Sequence, residues 1–247
     1  MEQSQMYHDL PCQMKKLRVG IDGPAGAGKS TVARKVASAL GYTYLDTGAM
    51  YRALAVIALN RKVPLDDLAA LGDMASSVKI DAFEDKGVFR VWVDGREVTD
   101  RLRNPETDQA VKILAMAKPV RQVLVSVQRE FARRGGVVME GRDITSVVMP
   151  DAEVKVFLTA DIKERALRRW RELTNKGVVM AFDEVLSEME ARDAKDLERD
   201  WGKLVKVEDA VRIDSTCMSV EQVCQSIIDL CEAKRRCFTS LPGGYLV

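Results

Sequence analysis

Leu17-Arg-Val-Gly-Ile-Asp22 runs directly into Gly23-Pro24-Ala25-Gly26-Ala27-Gly28-Lys29-Ser30-Thr31, and the reading of this stretch decides the fold. The first half is a short apolar run that ends at a glycine, the mark of a buried strand. The second half matches G-x-x-x-x-G-K-[ST] in full, and a helical pattern follows it from about Ser30 to Leu40. Each residue type has a chemical reason. Glycines let the backbone wrap closely around phosphate oxygens, with successive N–H groups turned inward as an anion nest. A helix starting near Lys29 adds its positive amino-terminal end. Lys29 can reach the β- and γ-phosphates of a nucleoside triphosphate, and the Ser30 hydroxyl can ligate Mg²⁺. A glycine-rich structural turn is the competing reading; the full motif in its strand-to-helix context outweighs it.

Moving outward, Tyr42 to Leu45 can form a second strand ahead of a helix from Gly48 to Asn60. This alternation implies parallel strands with crossover helices, an α/β layered core. The pattern then changes. Pro64 to Ser77 is expected as a helix with Pro64 in its first turn. From Val78 to Val98 the chain alternates and turns, with Asp94-Gly95 as a hairpin signal, so a small antiparallel insert interrupts the core. Helices are expected from Pro105 to Ala117 and again after Pro119, where Val120, Leu124, Val127 and Phe131 make an apolar stripe. Val137 to Glu140 and Val154 to Leu158 restore core strands. Charged helices over Asp161 to Asn175 and Phe182 to Arg199, a strand at Val211 to Ile213 and a helix from Val220 to Lys234 complete the pattern.

Composition narrows the function classes. Of the 247 residues, 47% are hydrophobic and 30% charged, the mix of a soluble globular chain with a core of its own. A formal net charge of +1 argues against a general nucleic-acid binder. No stretch approaches a membrane span, and the first residues lack the apolar run of a secretory signal, so a cytoplasmic protein is expected. Five scattered cysteines, at 12, 217, 224, 231 and 237, fit reduced thiols, with Cys224 and Cys231 on one buried helical stripe. The one histidine, His8, lies in a polar amino-terminal tail, which sets aside histidine-based zinc sites and Ser-His-Asp triads.

The phosphate loop alone does not choose between switches, motors and kinases. A guanine switch would carry Asn-Lys-x-Asp, whereas Asn175-Lys176 is followed by Gly177-Val178. The chain instead places arginines beside carboxylates and on helical faces. Gly141-Arg142-Asp143 follows a core strand; Arg165, Arg168 and Arg169 share one face, as do Arg192, Asp196 and Arg199. Phosphoryl transfer between two polyanions needs such fixed cations, and the planar arginine fork grips phosphate in two places.

Asp22 through Thr31, Leu45-Asp-Thr-Gly-Ala-Met-Tyr-Arg52, Glu140-Gly-Arg-Asp143 and Arg192-Asp193 through Arg199 together resemble the bacterial cytidylate kinases, from about Leu17 to about Lys234. The resemblance implies a P-loop nucleoside monophosphate kinase domain over 17–234, between tails at 1–16 and 235–247. It implies an α/β parallel sheet with helices on both faces, an antiparallel acceptor-binding insert near 72–110 and a helical lid near 161–199. Gly23 to Thr31 would hold ATP with Mg²⁺. Thr47, Tyr51 and Arg52 would line the acceptor pocket, with Arg52, Arg142 and Arg199 on the acceptor phosphate. Arg192 and Asp196 would meet the sugar hydroxyls, and Arg121 with Asp143 would read the cytosine edge of CMP or dCMP. Lid residues Arg168 and Arg169 would close over the triphosphate. A monomer without nucleic-acid or membrane partners is expected.

Three positions depart from that family. Glu140 stands where aspartate is usual, Thr145 where glycine is usual, and Lys112 where a base-contacting serine is expected. Two other readings stay open at this point. One is a kinase of the same core acting on another nucleotide or anionic metabolite; the other is a non-catalytic ATP-binding sensor or assembly factor.

Overall fold

The computed structural model describes residues 16–85, 88–198 and 201–239. The central sheet contains β1 (Arg18–Asp22), β2 (Thr43–Asp46), β6 (Val137–Gly141), β7 (Val154–Thr159) and β8 (Val211–Asp214), in the order β2-β6-β1-β7-β8. All four pairings are parallel. β1 lies in the middle, covered on both faces, which is why it reads as an unbroken apolar run rather than an alternating one. From β1 the chain winds one way to β2, and from β6 it winds the other way to β7. Asp22 pairs with Gly141, so the loops leaving β1 and β6 start side by side where the winding reverses. Open α/β sheets bind ligands at that crevice.

α1 (Lys29–Leu40) begins at Gly28, whose φ is 89°, and no side chain caps its first turn. Those amides are left to an anion. α2 (Thr47–Asn60) is capped instead by Asp46, which accepts from the Ala49 amide at 2.9 Å. The expected helix from Pro64 is shorter than the sequence pattern suggests. α3 (Leu68–Ser76) starts only after Asp67, whose carboxylate accepts from the Ala70 amide, and Pro64 lies outside it in a turn. The carboxylate cap at Asp67, not the proline, sets the start.

The insert is an antiparallel sheet of β3 (Ile80–Asp85), β4 (Val88–Val93) and β5 (Arg96–Glu97). Asp94 and Gly95 turn between β4 and β5 with φ of 50° and 76°, the paired positive values of a tight hairpin turn. α4 (Pro105–Leu114) and α5 (Lys118–Arg133) then pack on α2 and α3, with Val120 and Leu124 fully buried. After β6 the chain makes one wide π-type turn, Ile144–Val148, closed by the Met149 amide on the Ile144 carbonyl at 2.7 Å.

α6 (Ile162–Asn175) and α7 (Phe182–Glu198) pack on each other around Ala166, Val185 and Met189, a small apolar cluster separate from the main core. α8 (Val220–Thr239) buries Cys224 and Cys231 against the core; burial raises both thiols, Cys231 to about 11. This helix runs past Lys234, where the sequence pattern placed a frayed tail. Arg235 donates to the Tyr42 hydroxyl at 2.8 Å and lies over its ring, extending the helix beyond its apolar stripe.

Gly23 tests the register of this arrangement. A Cβ there would collide with the Leu158 carbonyl oxygen, a backbone atom of β7 that cannot move aside. Gly23→Ala is expected to cost about 3 kcal/mol or more in urea unfolding, the scale of severe overpacking. Wild-type stability in that variant would refute the close approach of the two strands.

Candidate active site

The loop after β1 holds its lysine inside. Lys29 is buried, and its Nζ donates to the Pro24 carbonyl at 2.7 Å. Burial lowers its pKa from 10.5 to about 7, and the nearby Arg142 and Arg192 add to the effect; Glu140 and Asp22 oppose it. Ser30 donates to Glu140 at 2.5 Å, and Tyr44 reaches the same oxygen at 3.3 Å. Burial first, then the charge of Asp46, raises the pKa of Glu140 against the pull of Lys29 and Ser30. Thr31 lies exposed on the first turn of α1.

Three other arginines expected at the site, Arg142, Arg121 and Arg52, are already paired. Arg142 Nε lies 2.7 Å from Asp196 Oδ2, tying the loop after β6 to α7. Arg121 on α5 is paired with Asp143, both buried, and the Tyr51 ring lies 5.8 Å from the guanidinium. Arg52 on α2 is paired with Asp108 on α4 and donates to the Leu102 carbonyl at 3.2 Å. Thr47 is buried, with its hydroxyl on the Glu140 carbonyl at 2.7 Å. Such pairing lets a pocket for a polyanion hold several guanidinium groups before the anion arrives.

On α6, Arg168 donates to Glu164 at 2.9 Å and to the Ser215 carbonyl at 2.7 Å, close beside Gly28. Arg169 lies along its own helix on Glu172. Arg199 falls outside the described residues.

Sequence reasoning did not single out Asp108, Ser215 or Gly202, and it placed Arg165 on a helical face with Arg168 and Arg169 without giving it a partner. Nothing local marks Asp108, fifty-six positions from its partner Arg52. Ser215 directly follows β8, and a position at the carboxyl end of a core strand was a usable signal. Gly202, at φ 67°, lies against the Arg121–Asp143 pair, where a Cβ would collide with the guanidinium.

The three departures have physical accounts of different kinds. Thr145 has no positive φ; it sits in the wide turn, donating from both its amide (2.7 Å) and its hydroxyl (2.6 Å) to Asp22. Gly20 makes room, since a Cβ there would come within 2.9 Å of the Thr145 methyl. The Ile144 amide also donates to Asp22, at 2.8 Å, and burial still raises this carboxyl above its ordinary value. Glu140 keeps the negative charge beside Ser30. Lys112 is exposed on α4, with its ammonium on Gln109 at 3.3 Å.

A phosphate-binding loop at the reversal point of a parallel sheet, with Arg165 on its carbonyl side and Arg142 on the neighbouring strand's loop, defines a P-loop kinase core. The family model for cytidylate kinase matches residues 19–233. The cytidylate kinase of Pelotomaculum thermopropionicum is 46% identical over 219 residues, covering 88% of this chain and 97% of that protein. That of Desulfitobacterium hafniense is 44% identical over 216 residues, covering 87% and 93%. That of Bacillus subtilis is 43% identical over 222 residues, covering 90% and 99%. The chain belongs to the cytidylate kinase family.

Lys29 gives a pH signature. Stability contributed by this group is full above its unfolded value of 10.5 and is lost as pH falls toward about 7, where the buried ammonium must form. A bound polyphosphate reverses that penalty. Tripolyphosphate binding at about pH 8.5 should therefore take up a proton that Lys29→Met does not, as read by calorimetry in buffers of different ionisation enthalpy. Equal uptake in both proteins would show that Lys29 is already charged.

Proposed function

We propose that this chain transfers the γ-phosphoryl group of ATP to CMP or dCMP, giving CDP or dCDP and ADP. The observation that carries the reading is the phosphate loop itself: no side chain caps the first turn of α1, Lys29 is held on the Pro24 carbonyl, and the loop leaves β1 beside the Gly141–Asp143 loop. Membership of the cytidylate kinase family supports the acceptor.

The chain's own groups account for each part of the reaction. Backbone N–H groups of the loop Gly23 to Thr31, Pro24 having none, hold the triphosphate, and Lys29 leaves the Pro24 carbonyl for the β- and γ-oxygens. Arg52, Arg142 and Arg199 hold the acceptor phosphate. Two of them, Arg52 and Arg142, exchange a carboxylate partner for it, so no bare cation has to be desolvated on binding. Arg192 and Asp196 meet the sugar hydroxyls, within a pocket lined by Thr47 and Tyr51. Asp143 accepts from the exocyclic amino group of cytosine, which uracil lacks, while Arg121 donates to the base carbonyl or ring nitrogen. The acceptor phosphate is ionised at neutral pH, so no general base is required.

The hydroxyl of Ser30 beside the Glu140 carboxylate is an oxygen donor set of the kind Mg²⁺ shares with phosphates and water. No cluster of three or more acidic, histidine or cysteine ligands occurs among the described residues. Mg²⁺ held there would offset charge on the β- and γ-oxygens.

The insert near 72–110 serves the acceptor, and the lid near 161–199 brings Arg168 and Arg169 over the triphosphate, excluding water that would otherwise hydrolyse ATP. No described helix is long and apolar enough to cross a membrane. A cytoplasmic monomer with no nucleic-acid partner suits a reaction between two small nucleotides.

An acceptor panel tests the reading: with Mg²⁺ and ATP, CMP and dCMP should be phosphorylated far faster than UMP or AMP. Failure with all four would end it. Asp143→Ala should cut kcat/KM for CMP about 10- to 100-fold while leaving the KM for ATP near wild type, the scale of a lost charged hydrogen bond. Unchanged selectivity would remove Asp143 from base reading. Lys29→Ala should lower kcat by about 10²- to 10³-fold or more with the fold intact, as read by circular dichroism.

A further inference from the structure

The carbonyl side of the phosphate loop is held as firmly as its amide side is left open. Arg165 on α6 is buried, and its Nη1 donates to the Ala25 carbonyl at 3.1 Å. The same guanidinium donates through Nε to the Ala160 carbonyl at 2.9 Å and meets Asp193 Oδ2 on α7 at 2.7 Å. Ser215 is also buried. Its hydroxyl reaches the Ala27 carbonyl at 3.3 Å and the Thr159 carbonyl at 3.1 Å, and accepts from Arg168 Nη1 at 3.1 Å. Because Arg168 occupies the oxygen, the hydroxyl proton is directed toward the two carbonyls.

A trans peptide is planar, with its C=O and N–H pointing in opposite directions. No cis peptide occurs among the described residues. Holding the Ala25 carbonyl outward therefore turns the Gly26 amide inward, and holding the Ala27 carbonyl does the same for Gly28. These planes need holding. Gly26 and Gly28 have φ of 75° and 89°, and glycine rotates between alternative peptide orientations at little cost. The loop also rests on the lid arm: a Cβ on Gly26 would come within 2.9 Å of Met189 Cε and 3.0 Å of Arg165 Cβ.

We propose that Arg165 and Ser215 are positioning residues that set the Ala25–Gly26 and Ala27–Gly28 peptide planes, and that the Arg165–Asp193 pair ties this setting to the lid. Both act on the triphosphate through backbone amides and touch neither substrate. The inference rests on the phosphoryl-transfer reading for its kinetics, but not for its binding test.

The test uses the full chain, inorganic tripolyphosphate and the two nucleotides. Ser215→Ala removes only a hydroxyl, and should weaken tripolyphosphate binding and raise the KM for ATP about fivefold, the scale of one hydrogen bond. The KM for CMP should stay near wild type. Arg165→Met should raise the KM for ATP about tenfold or more, with Arg165→Lys recovering part of the loss because an ammonium cannot bridge all three partners. Asp193→Asn should give a smaller rise of the same kind. In ¹⁵N spectra, the Gly26 and Gly28 amides should shift on tripolyphosphate addition in the wild type and shift less in Ser215→Ala.

Equal rises in both KM values, or a lower melting temperature with tripolyphosphate affinity unchanged, would overturn the proposal in favour of a purely structural role. The two readings fail separately. Wild-type protein that binds tripolyphosphate yet phosphorylates no nucleotide would sink the proposed reaction, while the binding series would still decide the role of Arg165 and Ser215.

Discussion

Four arginines of the site are buried or half-buried, and a carboxylate holds each of them in place. Asp196 takes Arg142, Asp143 takes Arg121, Asp108 takes Arg52 and Asp193 takes Arg165. Lys29 has no such ion pair and settles on a carbonyl, with its charge disfavoured.

The pairs also join elements that the sheet alone would not hold together. Arg142–Asp196 fastens α7 to the loop after β6 and Arg165–Asp193 fastens it to α6, supplementing the small apolar cluster around Ala166, Val185 and Met189. Asp22 works on the other side. It accepts from Ile144 and Thr145 while standing immediately before Gly23, so the loop that carries Asp143 is anchored to the strand that launches the phosphate loop. Donor and acceptor halves of the site share one buried carboxylate.

Much of this was legible in the linear chain. The phosphate loop, the strand before it and the helix after it are local features, each encoded by neighbouring residues. The Asp94-Gly95 turn was legible for the same reason, because two consecutive positive φ angles demand those residue types. Errors fell at element ends. α3 begins at Leu68, after the Asp67 cap, rather than at Pro64, and α8 outlasts its apolar stripe because Arg235 finds Tyr42 far away in sequence. Thr145 looked like a conflict with its position, and proved compatible through a partner, Asp22, one hundred and twenty-three positions away.

By itself, the sequence determined the parallel α/β core, the phosphate nest and the supply of arginines, because helix period, strand burial and turn chemistry are short-range properties. Only the tertiary structure decided which carboxylate holds which arginine, that Arg165 and Ser215 grip the loop carbonyls, and that Gly202 must lack a side chain beside Arg121. Those facts depend on atoms brought within a few ångströms by chain segments far apart in sequence, and no local pattern records such a meeting.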